Sequence, residues 1–251
     1  MKLTLEDEKI IRHLGYPKKI KLSSGEYYVK MLDEKYVINE LIGYQMAQKI
    51  GLECAKYLVI LLDDNYYCLS LDLGQEGVFK TAKELGILQY SLYYIWHKLS
   101  LSYECVPTLM YDIVKMYIFD LFMLNADRNS SNWGIRDINN VQKVCILDHE
   151  FIMESDESHC LTADFYKKED KDVLKYRSEE IILFLKDSSQ EFIELFLKIY
   201  SLLNVDFLES VLEDIEKMVP IKEKNSIIDL YQKNYNLITQ ILKDHGLLQS
   251  R

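Results

Sequence analysis

Three residues with oxygen-bearing side chains stand at spacings that suit phosphoryl transfer. Asp127 and Asn132 lie five positions apart in the polar segment 125–132, and Asp148 follows Asn132 by sixteen residues. Phosphoryl transfer needs a carboxylate to orient the attacking hydroxyl and oxygen ligands to hold magnesium on the ATP phosphates. An Asp-x-x-x-x-Asn spacing supplies a base and a metal ligand. We therefore predict Asp127 as the catalytic base and Asn132 and Asp148 as Mg²⁺ ligands, with ATP as phosphate donor.

The polar loop has two other interpretations. Asp127, Asn129 and Ser131 match the first, third and fifth positions of a calcium-binding EF-hand loop, but Asn132 stands at the position of its glycine and Ile138 at that of its glutamate. Calcium binding is therefore not expected. Taken singly, these residues also suit ordinary loop and helix capping, so the prediction depends on their occurring together.

The N-terminal part supplies an independent check on this chemistry. A kinase needs a strand lysine for the ATP phosphates and a glutamate on the next helix to hold that lysine. Lys30 ends the β-prone run Tyr27-Tyr28-Val29-Lys30, and Glu40 falls early on the helix that follows. A solvated lysine and a glutamate that complements the helix dipole are the alternatives.

The order of predicted elements separates two lobes. Residues 1–72 are predicted as an ATP-binding lobe of strand, strand, helix, strand and strand, with turns at Ser23-Ser24-Gly25 and Asp63-Asp64-Asn65. Residues 73–251 are predicted as a helical lobe that carries the catalytic loop 125–132 and Asp148. Its predicted helices include 79–99 and 108–124, and two short strands, 133–136 and 143–147, flank Asn139-Asn140. The predicted class is α+β.

Composition sets limits on the partners. The chain has 251 residues, 49% of them apolar, and a formal net charge of −10, which disfavours general binding to nucleic acid. The five cysteines form no CxxC pair and fit reduced thiols. The acidic start MKLTLEDEKI is unlike a secretory signal, and no apolar run is long enough to cross a bilayer. We therefore expect a cytoplasmic protein without a membrane partner.

The motifs together resemble the HipA-like kinases, a bacterial Ser/Thr protein kinase family known from toxin–antitoxin systems. The matching pieces are Gly15-Tyr16-Pro17-Lys18, Tyr28-Val29-Lys30, Asn39-Glu40 and, above all, Asn125-Ala126-Asp127-Arg128-Asn129-Ser130-Ser131-Asn132. The last motif is also similar to the catalytic loop of phosphatidylinositol kinases. The resemblance implies a two-lobed kinase-like fold in which Lys30 contacts ATP phosphates, Glu40 orients Lys30, and Gly15 and Lys18 belong to a phosphate-covering loop.

Departures from kinase patterns leave the acceptor open. No Gly-x-Gly-x-x-Gly loop occurs, and Asp148 is followed by His149-Glu150 where other kinases have Phe-Gly. The resemblance implies a Ser or Thr hydroxyl of a protein as acceptor, and a small antitoxin-like or N-subdomain-like partner. A lipid or small-molecule hydroxyl is the first alternative. A kinase fold that binds nucleotide or a partner without turnover is the second.

Overall fold

A computed structural model describes residues 4–12, 18–103, 106–125, 127–153 and 173–248. In these ranges the helices are α1 (Leu5–Arg12), α2 (Glu34–Lys49), α3 (Leu92–Ser100), α4 (Val106–Phe122), α5 (Val173–Asp187), α6 (Gln190–Leu202), α7 (Val205–Glu216) and α8 (Lys224–Asp244). The strands are β1 (Lys18–Leu22), β2 (Gly25–Leu32), β3 (Glu53–Cys54), β4 (Tyr57–Leu62), β5 (Asn65–Leu71), β6 (Val78–Thr81), β7 (Trp133–Ile138) and β8 (Val141–Ile146).

The first sheet is antiparallel, with strand order β1-β2-β5-β4. Its two hairpins are the ones predicted from the turn residues. Asp63 and Asp64 connect β4 to β5 with φ angles of 50° and 63°, a left-handed conformation that matches the twist of the strands and that aspartate tolerates better than most residues.

Helix α1 packs on the outer face of this sheet. Ile11 is completely buried and shares a small apolar cluster with Ile20, Val29 and Leu69. Asp7 fastens the helix to the β1–β2 turn, since its carboxylate accepts hydrogen bonds from the backbone N–H and the hydroxyl of Ser23. The chain thus covers part of the outer sheet face with its own N-terminal helix.

The second sheet, with order β3-β8-β7-β6, joins the two halves of the chain. Strand β3 has two residues and pairs parallel with β8, and the N–H of Ala55 donates to the carbonyl of Ile146. Strands β7 and β8 form the antiparallel hairpin that the sequence predicts. The sheet therefore connects the segment after α2 to the segment behind the loop 125–132.

The helix predicted over 79–99 is wrong in its first half. Residues Val78–Thr81 form β6, which pairs with β7, and the helix begins at Leu92. A Cβ atom at Gly134 would lie 2.2 Å from the carbonyl oxygen of Lys80, so glycine permits this close pairing. Gly86 then adopts a φ of 72° in the connecting turn. Tertiary pairing overrides the local helical pattern here.

Helix α4 forms the centre of the helical lobe. It packs against α3, α5, α6, α8 and β8, and Ile113, Ile118, Phe119 and Phe122 are fully buried. A helix that is buried on nearly all sides needs apolar residues around its circumference. Among the described residues, no helix has the length and apolar character to cross a membrane.

Candidate active site

The predicted catalytic pair lies in one loop between α4 and β7. The Asn132 side-chain amide donates to Asp127 Oδ2 and to the Asp127 carbonyl, both at 3.2 Å. The Asp127 N–H donates to the side-chain oxygen of Asn125. Asp127 is 8% exposed, and its Oδ1 has no hydrogen-bond partner in the part of the chain that the structure describes. One oxygen of the carboxylate is therefore oriented while the other is left for a ligand.

A buried ion pair holds this loop in shape. The Arg128 guanidinium binds both carboxylate oxygens of Asp120, a residue of α4, and neither side chain is exposed. Asn125 and Tyr90 also donate to the Asp120 carboxylate. A buried charge is stable when it is paired and its remaining lone pairs accept hydrogen bonds, which Asp120 achieves. The network is a rigid base for the loop.

Arg128 also connects the loop to the strand that carries the predicted metal ligand. Its Nη1 donates to the carbonyl oxygens of Asn132, at 2.7 Å, and of Leu147, at 3.0 Å. The Leu147 N–H in turn donates to the Asn132 carbonyl. These bonds fix Asp148, the next residue after Leu147, beside the catalytic loop.

Asp148 has an uncommon backbone conformation that its neighbours stabilise. Its φ is 62°, in the left-handed region, where a non-glycine residue is strained. The hydroxyl oxygen of Tyr57 accepts from the Asp148 N–H at 2.9 Å, and Glu40 accepts from the His149 N–H at 2.8 Å. Strain that several contacts support is typical of a functional turn.

His149 fixes the turn against α2. Its ring is fully buried, with Nε2 3.1 Å from Cys54 Sγ, and it lies over Gly43, where a Cβ atom would come within 2.5 Å of the ring. Burial, together with the charges of Arg128 and Lys30, lowers the pKa of His149 well below its usual value. A neutral imidazole thus follows Asp148, at the position where an Asp-Phe-Gly motif has its phenylalanine.

Lys30 meets three carboxylates at the inner face of the first sheet. Its Nζ lies 2.8 Å from Asp148, 3.1 Å from Glu150 and 3.9 Å from Glu40. The predicted Lys30–Glu40 pair is therefore present, but the shorter contacts go to Asp148 and Glu150. Burial alone would lower the pKa of Lys30, but the three carboxylates outweigh it and raise that pKa.

The sequence left Glu150 open between helping to bind metal and pointing to solvent, and it indicated no role for Asn39. The Asn39 side-chain amide donates to the carbonyl oxygens of Glu150 and Ile152, at 2.8 and 2.9 Å, which holds the backbone of the turn. The sequence carries two signals for these positions. One is a carboxylate two residues after Asp148, and the other is a polar residue next to Glu40 on the same helix. Neither signal specifies a contact without the tertiary structure.

The carboxylates of the site influence one another. Burial and the charge of Asp148 raise the pKa of Glu40 to about 8. Burial, followed by the Asp148 charge, also raises the pKa of Asp127 and that of Glu150. The site therefore concentrates more negative charge than its protein cations neutralise, which favours binding of an added cation.

A cavity of about 370 Å³ opens beside this cluster, between the first sheet and β6. Ala55, Phe79 and Leu147 give it apolar walls, and Lys30 and Asp148 lie on its lining. The volume and the mixture of apolar walls with a few charged groups are typical of small-molecule sites.

The structure thus brings together five of the seven residues predicted for the site. Asp127 and Asn132 share one loop, and Lys30, Glu40 and Asp148 converge, although the roles assigned to them stay predictions. Gly15 lies outside the described residues. Lys18 begins β1 with its backbone opposite Val29, and its role in phosphate binding also stays a prediction.

The donor set fits a hard divalent cation. Glu40, Asp148 and Glu150 each offer one oxygen, and these oxygens lie within 4.8 Å of one another. Asp127 Oδ1, buried and without a partner among the described residues, adds a further acceptor. Magnesium prefers carboxylate and amide oxygens, so these residues and Asn132 are chemically suited to hold it.

Comparison with solved structures relates the fold of this chain to that of a known kinase. No protein-family model and no curated protein sequence matches the chain. Among solved structures, the proinflammatory kinase CtkA of Helicobacter pylori has a TM-score of 0.64 at 13% identity, covering 91% of this chain and 97% of CtkA. HipA of Shewanella oneidensis, solved with HipB and operator DNA, has a TM-score of 0.60 at 12% identity, covering 92% of this chain.

The chain spans 64% of that HipA chain, and at these identities the likeness shows the fold. The α+β, kinase-like fold predicted from the sequence is confirmed. The resemblance to HipA-like kinases therefore holds in tertiary structure, and this chain shares its fold with CtkA and HipA.

Proposed function

We propose that this protein is a Mg²⁺- and ATP-dependent kinase that transfers the γ-phosphate to a Ser or Thr hydroxyl of a protein. The observation that carries the proposal is the convergence of a paired Asp127 and Asn132 with Asp148 and Lys30 beside a cavity of about 370 Å³. A base, oxygen ligands for a metal ion and a lysine for phosphates are the parts that phosphoryl transfer uses.

The roles follow from the position of each side chain. Asp127 orients the acceptor hydroxyl and accepts its proton, since one of its carboxylate oxygens is fixed by Asn132 and the other has no partner among the described residues. Asn132 and Asp148 would hold Mg²⁺, which supplies neutralisation of the phosphate charge. Lys30 binds the phosphates. Its ammonium group contacts Glu40 once the Lys30 side chain has turned away from Asp148.

The cavity supports nucleotide binding. The base and ribose would lie between Ala55, Phe79 and Leu147, and the phosphates would extend toward Lys30 and Asp148. Apolar walls favour a flat aromatic ring because they remove its surface from water. ATP is the nucleotide that the resemblance to kinases implies.

A protein partner is part of the proposal. The HipA structure is that of a toxin–antitoxin system and contains HipB, so an antitoxin-like protein is a candidate partner of this chain. A toxin–antitoxin role would follow if such a protein bound it and suppressed its activity. The formal net charge of −10 disfavours direct, general binding to nucleic acid.

The test is transfer of labelled phosphate from γ-labelled ATP with Mg²⁺, scored on the protein itself and on a cell extract. Replacing the base removes proton transfer and orientation of the acceptor, so Asp127→Asn is expected to reduce labelling by about 100-fold or more. The control is Asp64→Asn, in the exposed β4–β5 turn, where asparagine tolerates the left-handed backbone. Its labelling is expected to stay within about twofold of the wild type.

The outcome decides between the alternatives. Labelled protein that depends on Asp127 supports a protein kinase. Labelled small molecules or lipids with the same dependence replace the proposed acceptor. Equal labelling by the wild type and Asp127→Asn, or nucleotide binding without any transfer, would overturn the proposed function.

A further inference from the structure

The charge around Lys30 is unbalanced. Lys30 Nζ contacts Asp148 and Glu150 at 2.8 and 3.1 Å, with Glu40 at 3.9 Å. Even with Glu40 neutral, two carboxylates surround one ammonium group, and the nearby Asp127 adds another negative charge. Residual charge of this kind, in a partly buried site, attracts a cation that carries more than one charge.

Glu150 is held in place by its backbone. Asn39, which is 3% exposed, donates its side-chain amide to the Glu150 carbonyl at 2.8 Å. The Glu150 side chain is 18% exposed and turns toward Lys30, whereas a glutamate without a role would extend into solvent. The buried Asn39 side chain therefore fixes the backbone of Glu150, a charged residue two positions after Asp148.

A second observation outside the cluster points to a ligand. Asp127 Oδ1 is buried and without a hydrogen-bond partner among the described residues, and Asp127 is 8% exposed. Arg128, the next residue, donates to the carbonyl of Leu147, which precedes Asp148, and this contact places Asp127 beside the cluster. A buried carboxylate oxygen without a partner is costly. A cation held by the neighbouring carboxylates would lower that cost through its charge and leave Asp127 Oδ1 free for the acceptor hydroxyl.

We propose that Glu150 is a metal ligand that shares a second divalent cation with Asp148, and that the Lys30 ammonium occupies this cation's position until nucleotide binds. Lys30 then turns to the phosphates and Glu40, and the two carboxylates accept the ion. The ligand class is a hard divalent cation, Mg²⁺ or Mn²⁺, because the donors are carboxylate oxygens. The inference rests on the proposed kinase function for its nucleotide step and not for the ion site itself.

The first test uses Mn²⁺ alone, without nucleotide, and follows binding by electron paramagnetic resonance of the free ion. Lys30→Met removes the competing ammonium and is expected to bind Mn²⁺ at least about tenfold more tightly than the wild type. Adding Glu150→Gln to Lys30→Met is expected to cancel that gain. The control adds Glu84→Gln to Lys30→Met instead. Glu84 is an exposed residue of the cavity lining, so losing its charge is expected to change the Mn²⁺ affinity of Lys30→Met by no more than about twofold.

Two results would overturn the proposal. The first is that Lys30→Met binds Mn²⁺ no more tightly than the wild type, and the second is that Glu150→Gln has no more effect than Glu84→Gln. A thermal scan of each variant establishes that it is folded. If Lys30→Met does not fold, the wild type and Glu150→Gln are compared with ADP present. We then expect two Mn²⁺ ions per chain for the wild type and one for Glu150→Gln. Equal numbers for the two proteins reject the proposal.

The phosphate-transfer assay separates the two conclusions. Transfer that depends on Asp127, together with Mn²⁺ binding that does not depend on Glu150, rejects this inference and keeps the kinase. Mn²⁺ binding that depends on Glu150, without any transfer, keeps the ion site and rejects the kinase.

Discussion

Arg128 and Lys30 are both cations that contact carboxylates near the catalytic loop, but the charge around them is balanced differently. Arg128 and Asp120 are fully buried, and the Arg128 donors also bind two backbone carbonyls. Lys30 is 31% exposed at its side chain and faces three carboxylates. The first cluster is complete within the chain, whereas the second has more negative charge than the chain neutralises.

The difference in charge balance suits the Arg128–Asp120 cluster to structural support and the Lys30 cluster to the proposed binding of a ligand. A complete buried network fixes a single conformation, since any change leaves a charge without a partner. An incomplete and partly exposed cluster can exchange its contacts when a ligand arrives. The two therefore fit the roles proposed for them, a rigid support for Asp127 and an adjustable site for nucleotide and metal.

The largest expected effect comes from breaking the complete cluster. Asp120→Ala leaves the buried Arg128 without its carboxylate and is expected to lower the free energy of unfolding by about 3–5 kcal/mol. Urea unfolding followed by circular dichroism measures the change. A loss below about 1 kcal/mol would show that the network does not support the loop in this way.

A smaller effect is expected from the titration of Glu40, the most deeply buried carboxylate of the Lys30 cluster. Its pKa is raised from 4.5 to about 8, first by burial and then by Asp148. The folded protein therefore holds a proton that the unfolded chain releases, so stability falls as pH rises through this window. We expect the free energy of unfolding to fall by about 3 kcal/mol between about pH 5 and pH 8.

Glu40→Gln is the matched variant for this titration. Its side-chain oxygen can still accept from the His149 N–H, but the group does not titrate. The pH dependence should therefore be flatter in the variant than in the wild type. Parallel profiles for the two proteins would assign the dependence to other groups.

The smallest effect on stability is expected in the incomplete cluster. Glu150→Gln removes one of the surplus negative charges and leaves Lys30 paired with Asp148, so the free energy of unfolding should change by less than about 1 kcal/mol. The same urea titration as for Asp120→Ala measures it. A loss as large as that of Asp120→Ala would mean that the Lys30 cluster is structural, and the distinction between the clusters would be lost.

Local patterns predicted the elements that depend on neighbouring residues. The hairpin turns, α2 and α4 follow from turn residues and helical spacing, and these predictions agree with the structure. The helix predicted over 79–99 failed because β6 is stabilised by its pairing with β7, more than fifty residues away in the chain. The two-residue strand β3 is too short to leave a periodic signal and depends on pairing with β8.

The sequence by itself determined the contact between Asp127 and Asn132, because they are near neighbours in the loop 125–132. It also placed Lys30 on a strand and Glu40 on the helix that follows. The tertiary structure alone decided that Lys30 lies closest to Asp148 and Glu150, residues 118 and 120 positions away, and that Asp120 supports the loop. Contacts over such separations depend on how the sheets and helices pack, and no local pattern specifies that packing.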